Sequence, residues 1–249
     1  MRFVALIPAR YDSRRFPGKL LKKLGKKSLI YHTYSSAVAT GLFDEVIVVT
    51  DSEKIYKEIK KNKGKAILNI KKHPSGTDRI AEAAKEMEAD VFINIQGDEP
   101  FVNKNQILLL KQAFENDPQK KVDIASLMVK INHPDEFLDS NNVKVVTDKE
   151  GFALYFSRAP IPYPRDIEFD YAYKHIGIYA FRKEILEKIA VLPVSRLEQI
   201  EKLENLRFLE NGFKIKMMET KHRNIGVDTP GDLEKAIRFL KEMENEKMD

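Results

Sequence analysis

The chain begins with five consecutive apolar residues, Phe3-Val4-Ala5-Leu6-Ile7, and similar runs return at 45–50 (EVIVVT) and 91–96 (VFINIQ). Short apolar runs bounded by polar residues read as strands buried in a sheet. The pattern predicts strands at 3–7, 45–50, 66–70 and 91–96. A helix is predicted at 28–40, with Gly41 as its stop. A second is capped by Asp51 or Ser52 and runs to 62, and a third opens at Thr77 or Asp78 and runs to 88. A fourth extends from Asn103 or Lys104 to 116. Strands and helices alternating over short connections predict right-handed βαβ units and a mostly parallel sheet.

The rhythm changes after Asp123. Segments 124–131, 143–148, 152–157 and 175–181 all read as extended, with Asp148-Lys149-Glu150-Gly151 as a hairpin turn. Pro160, Pro162 and Pro164, with Tyr171 and Tyr173 beyond them, mark a loop or arm suited to a subunit contact. Helices are predicted again at 183–190, 196–210 and 230–246, and a last strand at 214–219. Without internal repeats or a low-complexity linker, the chain reads as one α/β domain over 1–249 carrying a mixed-strand insertion.

Composition narrows the function. The 249 residues include no Cys, which excludes disulfides and thiolate metal sites and makes a cytoplasmic location the default. The five His are dispersed without metal-ligand spacing, which points away from zinc chemistry. No apolar run approaches the roughly 20 residues that span a bilayer, and the opening run is too short for a signal-peptide core. The net charge of +5 is modest, and no stripe of cations with exposed aromatics suggests a nucleic-acid surface.

Candidate chemistry starts directly after the first strand. Pro8-Ala9-Arg10-Tyr11-Asp12-Ser13-Arg14-Arg15-Phe16-Pro17-Gly18-Lys19 carries four cations within ten residues. Its prolines fix φ, and Gly18 permits a sharp turn or close approach to a ligand. A cationic loop at the carboxyl end of the first strand of an α/β sheet is a phosphate-binding position. No Gly-x-Gly-x-x-Gly is present. The P-loop pattern also fails, because Leu20 follows Lys19 and Ser13 stands five before Gly18. The loop must therefore hold phosphates with side-chain cations and local backbone donors, which points away from hydride transfer and P-loop ATPases.

Asp98, in Gln96-Gly97-Asp98-Glu99-Pro100, falls at the carboxyl edge of the sheet. A carboxylate there suits Mg²⁺, which takes one or two carboxylates together with phosphates and water. It equally suits an ordinary turn residue. Asp228 either caps the helix that starts at Pro230 or supplies a second metal ligand.

At these residues the chain resembles the 3-deoxy-D-manno-octulosonate (Kdo) cytidylyltransferase family, the CMP-Kdo synthetases. The resemblance covers nearly the whole chain. It runs through IPARYDSRRFPGK, HPSGTDRIAEA, INIQGDEPF, NVKVVTDKEGFALYFSRAPIP, KHIGIYAFR, EKLENLRFLENG and GVDTPGDLE in order. The opening loop is shared with sialic-acid cytidylyltransferases and other nucleotidyl transferases, whereas HPSGTDR, FSRAPIP and KHIGIYAFR are more specific. Arg14 stands where the family more often has Thr. Asn205 stands where Gln is usual, which bears on one sugar contact.

The resemblance implies a Rossmann-like, mostly parallel sheet flanked by helices, of the nucleotide-diphospho-sugar transferase type. It also implies a smaller mixed or antiparallel insertion at 124–182 with sugar-site and dimerisation elements. The implied reaction joins CTP and Kdo to give CMP-Kdo and diphosphate, for lipopolysaccharide biosynthesis. Carried over by motif, Arg10, Arg15 and Lys19 grip the triphosphate, and Ser75, Gly76 and Gln96 lie around cytosine and ribose. Asp98 and Asp228 hold one or two Mg²⁺ ions, and these two with Lys19 and Arg10 form the catalytic group. Kdo meets Arg158, His175, Glu204, Asn205 and Arg207, with Gln96 touching both substrates. A homodimer without nucleic-acid or membrane partners completes the expectation.

Ordinary readings stand beside these. Arg158 also suits a surface ion pair, His175 a structural hydrogen bond in its strand, and Glu204 with Arg207 a solvent-exposed pair at i, i+3. The alternative functions are a cytidylyltransferase for sialic acid or an amino analogue of Kdo, and a non-catalytic nucleotide- or RNA-binding protein.

Overall fold

The first apolar run forms strand β1 (Phe3–Ala9), buried at every residue. The computed structural model describes residues 1–13, 15–71, 73, 75–165 and 169–245. Arg14, Pro74 of the HPSGTDR motif and Glu246 at the predicted end of the last helix lie outside the described residues. The chain packs as two units, one of Arg2–Lys104 with Asn224–Asp249, the other of Met1 with Asn105–Arg223.

In the first unit, the short antiparallel strands β2 (Lys23–Leu24) and β3 (Lys27–Ser28) lead into helix α1 (Leu29–Ala39). Then come β4 (Glu45–Thr50), α2 (Glu53–Lys61), β5 (Ala66–Leu68), α3 (Gly76–Ala84) and β6 (Val91–Asn94). The strands run parallel in the order β6-β1-β4-β5, with Leu6 opposite both Ile47 and Asn94. Parallel register puts the carboxyl ends of β1 and β6 side by side. The loops that follow them, one cationic and one acidic, therefore meet at one edge.

Helix α3 opens earlier than predicted. Ser75 Oγ accepts from Asp78 N at 3.1 Å, and the Asp78 carboxylate accepts from Ser75 N at 3.1 Å. This reciprocal cap satisfies two orphan donors and moves the helix start to Gly76.

In the second unit, α4 (Lys104–Glu115) precedes β7 (Ile124–Ile131), α5 (Pro134–Leu138), β8 (Lys144–Thr147), β9 (Ala153–Ser157) and β10 (Ala172–Arg182). Helices α6 (Lys183–Ile189), α7 (Arg196–Glu201) and α8 (Glu204–Glu210) and strand β11 (Ile215–Thr220) follow. Strand β7 pairs antiparallel with β10 and parallel with β11. Strand β8 pairs antiparallel with β9 and β10, and the β8–β9 turn closes with Gly151 N donating to Asp148 O at 3.1 Å.

The single helix predicted at 196–210 is two, broken where Lys202 adopts a left-handed φ of 56°. That conformation costs a non-glycine residue about 1–2 kcal/mol. Burial of Leu203, Leu206 and Phe208 offsets it, at about 1.5–3 kcal/mol for each large apolar side chain.

Helix α9 (Pro230–Asn245) belongs to the first unit, where Phe239 meets Phe101 edge-on at 4.8 Å. No helix among the described residues is long and apolar enough to cross a membrane.

Candidate active site

Lys19 is the pivot of the first unit's edge. Gly18 precedes it with a left-handed φ of 65°, a conformation that any side chain would strain, and Lys19 N donates to Phe16 O at 3.1 Å. The turn pulls Lys19 inward until only 9% of its surface is exposed. Its Nζ donates to Asp98 Oδ2 at 2.5 Å and to Asp228 Oδ1 at 2.9 Å. Burial pulls the Lys19 pKa down, but the two carboxylates outweigh it and the net shift is upward, so the ammonium is held charged.

Arg15, on the exposed surface, pairs with the other oxygen of Asp228 at 3.2 Å. Arg10 is exposed in the same loop. A cleft of about 1140 Å³ gathers Arg10, Arg15, Lys19, Ser75, Gly76, Gln96, Asp98 and Asp228 in its lining. All eight residues expected on the nucleotide and metal side therefore come together in one cleft. Within it, Ser75 is engaged in the α3 cap.

Each carboxylate is set by its own turn. Gly97 lies against the end of β1, where an added Cβ would stand 3.0 Å from the Pro8 carbonyl oxygen. Its own carbonyl accepts from Thr33 Oγ1 at 2.8 Å. A side chain at 97 would push the Gln96–Glu99 turn away from the strand end by a few tenths of an ångström. For Asp228, the capping alternative goes to a neighbour. Thr229 Oγ1 accepts from Asp232 N at 3.2 Å, and the Asp232 carboxylate accepts from Thr229 N at 3.0 Å. Thr229 thus caps α9 and leaves the Asp228 carboxylate to Lys19 and Arg15.

The donor set suits a hard cation that also takes ligand oxygens. Asp98 and Asp228 already converge on one positive centre, the Lys19 ammonium. Among the described residues no group of three or more His, Asp or Glu gathers to enclose a metal. Two carboxylates completed by phosphate oxygens and water is the usual arrangement for Mg²⁺.

Sequence reasoning missed Glu99, Asn224, Arg79 and His73 here. Glu99, also in the cleft lining, accepts a hydrogen bond from Asn224 Nδ2. Burial pushes the Glu99 carboxyl up, against the pull of the Asn224 amide and with help from Asp98, to about 7. Arg79 is 5% exposed and ties the end of β1 to the end of β4, donating to Ala9 O at 2.8 Å and to Asp51 Oδ2 at 2.7 Å. The signal for Arg79 was a charged residue among the apolar positions of α3. His73, also in the cleft lining, bonds through Nε2 to Glu82.

Of the residues expected on the sugar side, Gln96 lines the cleft of the first unit, whereas Arg158, His175, Glu204, Asn205 and Arg207 lie in the second unit. His175 Nε2 meets Ser126 Oγ at 2.9 Å, and its ring is flanked by Phe156 and Tyr179 at 5.1 and 5.2 Å between centroids. Burial pushes its pKa down to about 3, so the imidazole is neutral at pH 7. Arg158 donates to the backbone oxygens of Glu201 at 2.9 Å and Ser140 at 3.0 Å.

The Glu204–Arg207 pair is not a solvent pair. Arg207 is buried, donates to Glu204 at 2.8 Å and Leu192 O at 3.2 Å, and lies 3.4 Å from the Glu198 carboxylate. Asn205, 1% exposed, lies beside the Tyr179 hydroxyl without a well-formed hydrogen bond from either amide atom. A buried amide in that condition costs about 1–3 kcal/mol.

Comparison with known proteins bears on this arrangement. The family model described as cytidylyltransferase matches residues 4–217. A 3-deoxy-manno-octulosonate cytidylyltransferase of Flavobacterium johnsoniae is 53% identical over 98% of this chain and 100% of its own. The protein of the same name from Thermodesulfovibrio yellowstonii is 45% identical over 95% of this chain and 97% of its own. Among solved structures, CMP:2-keto-3-deoxy-manno-octonic acid synthetase complexed with CTP superposes with a TM-score of 0.92. It is 40% identical, and the match covers 98% of this chain and 100% of that one.

Proposed function

The chain belongs to the 3-deoxy-manno-octulosonate cytidylyltransferase family, and from that membership we propose that it transfers CMP from CTP to Kdo, an activation step for lipopolysaccharide biosynthesis. The observation that carries this reading is the convergence of Lys19, Asp98 and Asp228 in a cleft that Arg10 and Arg15 also line.

The chemistry needs such a cleft. CTP carries about four negative charges and Kdo one. Two unit charges 4 Å apart interact by about 4 kcal/mol at a surface-like effective dielectric. The Kdo 2-hydroxyl oxygen attacks the α-phosphorus in line. A P–O bond forms, the bond from the α-phosphorus to the bridging oxygen breaks, and diphosphate leaves with the electron pair while the hydroxyl proton passes to solvent. Arg10 and Arg15 bind and orient the triphosphate. Lys19 stabilises charge gathering on the α-phosphoryl oxygens and the leaving group, which lowers the barrier more than it tightens binding.

Asp98 and Asp228 would hold Mg²⁺, which when bound supplies charge against the triphosphate and acidifies the attacking hydroxyl. Gln96 and Gly76 line the nucleotide end, beside the Ser75 cap. On the sugar side, Arg158, Glu204 and Asn205 bind the sugar acid, and neutral His175 offers it uncharged hydrogen bonds. Arg207 holds Glu204 in place. The family expectation makes the protein a cytoplasmic homodimer, with sugar-site and dimer elements in the 124–182 segment.

Phosphorus NMR of the protein with CTP, Kdo and Mg²⁺ tests the reading. A new phosphodiester signal appearing in step with diphosphate supports it. CTP remaining intact under those conditions contradicts it.

A further inference from the structure

We propose that Glu99 and Asn224 are positioning residues, a clasp that holds the Asp98 and Asp228 turns together as one cation site. The proposal rests on the reading of those two carboxylates as the metal-holding pair.

Asp98 and Asp228 are far apart in sequence, and neither belongs to a strand or helix. Asp98 sits in a tight turn after β6, closed by Glu99 N donating to Gln96 O at 3.1 Å. Asp228 ends the segment before α9. Two like charges on separate turns repel each other, so something must keep the turns in register whenever Lys19 is drawn toward a phosphate.

Two bonds do so. Val227 N donates to Asp98 O at 3.0 Å, joining the backbones beside the carboxylates. Asn224 Nδ2 donates to Glu99 Oε2, joining the same two segments at a second point. One bond sets the separation of the turns. A second bond, displaced along both chains, stops them pivoting about the first. On the far side of Asp228, the Thr229–Asp232 cap anchors the same segment to α9. Glu99 therefore acts through its bond to Asn224, and its neighbour Asp98 faces Lys19.

The test compares Glu99→Ala, Asn224→Ala, the double variant and Glu99→Gln, whose amide oxygen still accepts from Asn224. Mn²⁺ binding to the full-length protein with CTP, without sugar, is measured by electron paramagnetic resonance, and kcat and KM are measured separately with Kdo. Each alanine variant should weaken Mn²⁺ binding at least 10-fold and lower kcat at least 10-fold, with KM for CTP moving less than 3-fold. The double variant should be no worse than the worse single one, and Glu99→Gln should bind Mn²⁺ within 3-fold of the wild type.

Mn²⁺ binding within 2-fold of wild type in both alanine variants overturns the clasp. So does a double variant in which the losses multiply, or Glu99→Gln as damaged as Glu99→Ala. If one alanine variant fails to fold, the other breaks the same bond from the opposite side. Because Mn²⁺ binding is read without sugar, a wrong sugar assignment would silence turnover in the wild type and leave this comparison intact.

Discussion

The Lys19 ammonium stands 2.5 Å from the Asp98 carboxylate, and the same nitrogen reaches Asp228 at 2.9 Å. A cation buried between two carboxylates is shielded from water, so its charge acts over short range with little screening. Its surroundings suit a group that passes from carboxylate to phosphate oxygens as substrate enters.

Lys19→Ala should lower kcat at least 100-fold, about 2.7 kcal/mol of barrier, beyond any loss of CTP affinity. Steady-state kinetics beside a direct CTP binding measurement separate the two effects. A variant that loses affinity alone would make Lys19 a binding cation only.

Asp98→Asn and Asp228→Asn should each lower turnover at least 100-fold while melting close to the wild type. For Asp228 the reason is specific, because the cap of α9 belongs to Thr229. Thr229→Ala should instead lower stability by about 1 kcal/mol. A large melting loss in Asp228→Asn would return that residue to the capping role.

The path from these residues back to the sequence is uneven. Strands β4 and β7 have the predicted bounds because polar residues flank a mainly apolar stretch, and burial acts on that contrast. The cation loop and Asp98 were legible because each follows such a strand. The break at Lys202 was not, since neither glycine nor proline marks it and the burial of Leu203, Leu206 and Phe208 that accompanies it is a tertiary effect. Nor could local sequence choose between the two duties of Asp228. The cap of α9 belongs to Thr229 and Asp232, which bond each other. The Glu99–Asn224 bond joins distant segments and leaves no periodic trace.

His175 should make stability depend on pH. Its folded pKa, about 3, lies below the ordinary value near 6.5, so between the two the unfolded chain takes up a proton that the folded protein does not. Stability is therefore lost as pH falls from about 6.5 toward 3, by up to about 1.4 kcal/mol per pH unit. Thermal melts from pH 7 to 4 should show a shallower fall in His175→Gln. An unchanged slope would mean that the imidazole protonates freely in the folded state.

Arg207→Ala should destabilise the protein by about 3–5 kcal/mol, because it leaves the Glu198 and Glu204 carboxylates without their buried partner. Urea unfolding reads this directly. A stable variant with only a raised KM for the sugar would make Arg207 a direct substrate contact.

The substrate assignment turns on which sugar acid accepts CMP. Diphosphate release with CTP and Mg²⁺, measured across Kdo, an amino analogue of Kdo and sialic acid, tests it most directly. Kdo should give the highest kcat/KM by at least 100-fold. Turnover with another acid and none with Kdo would contradict the assignment while leaving the transfer chemistry at Lys19, Asp98 and Asp228 in place.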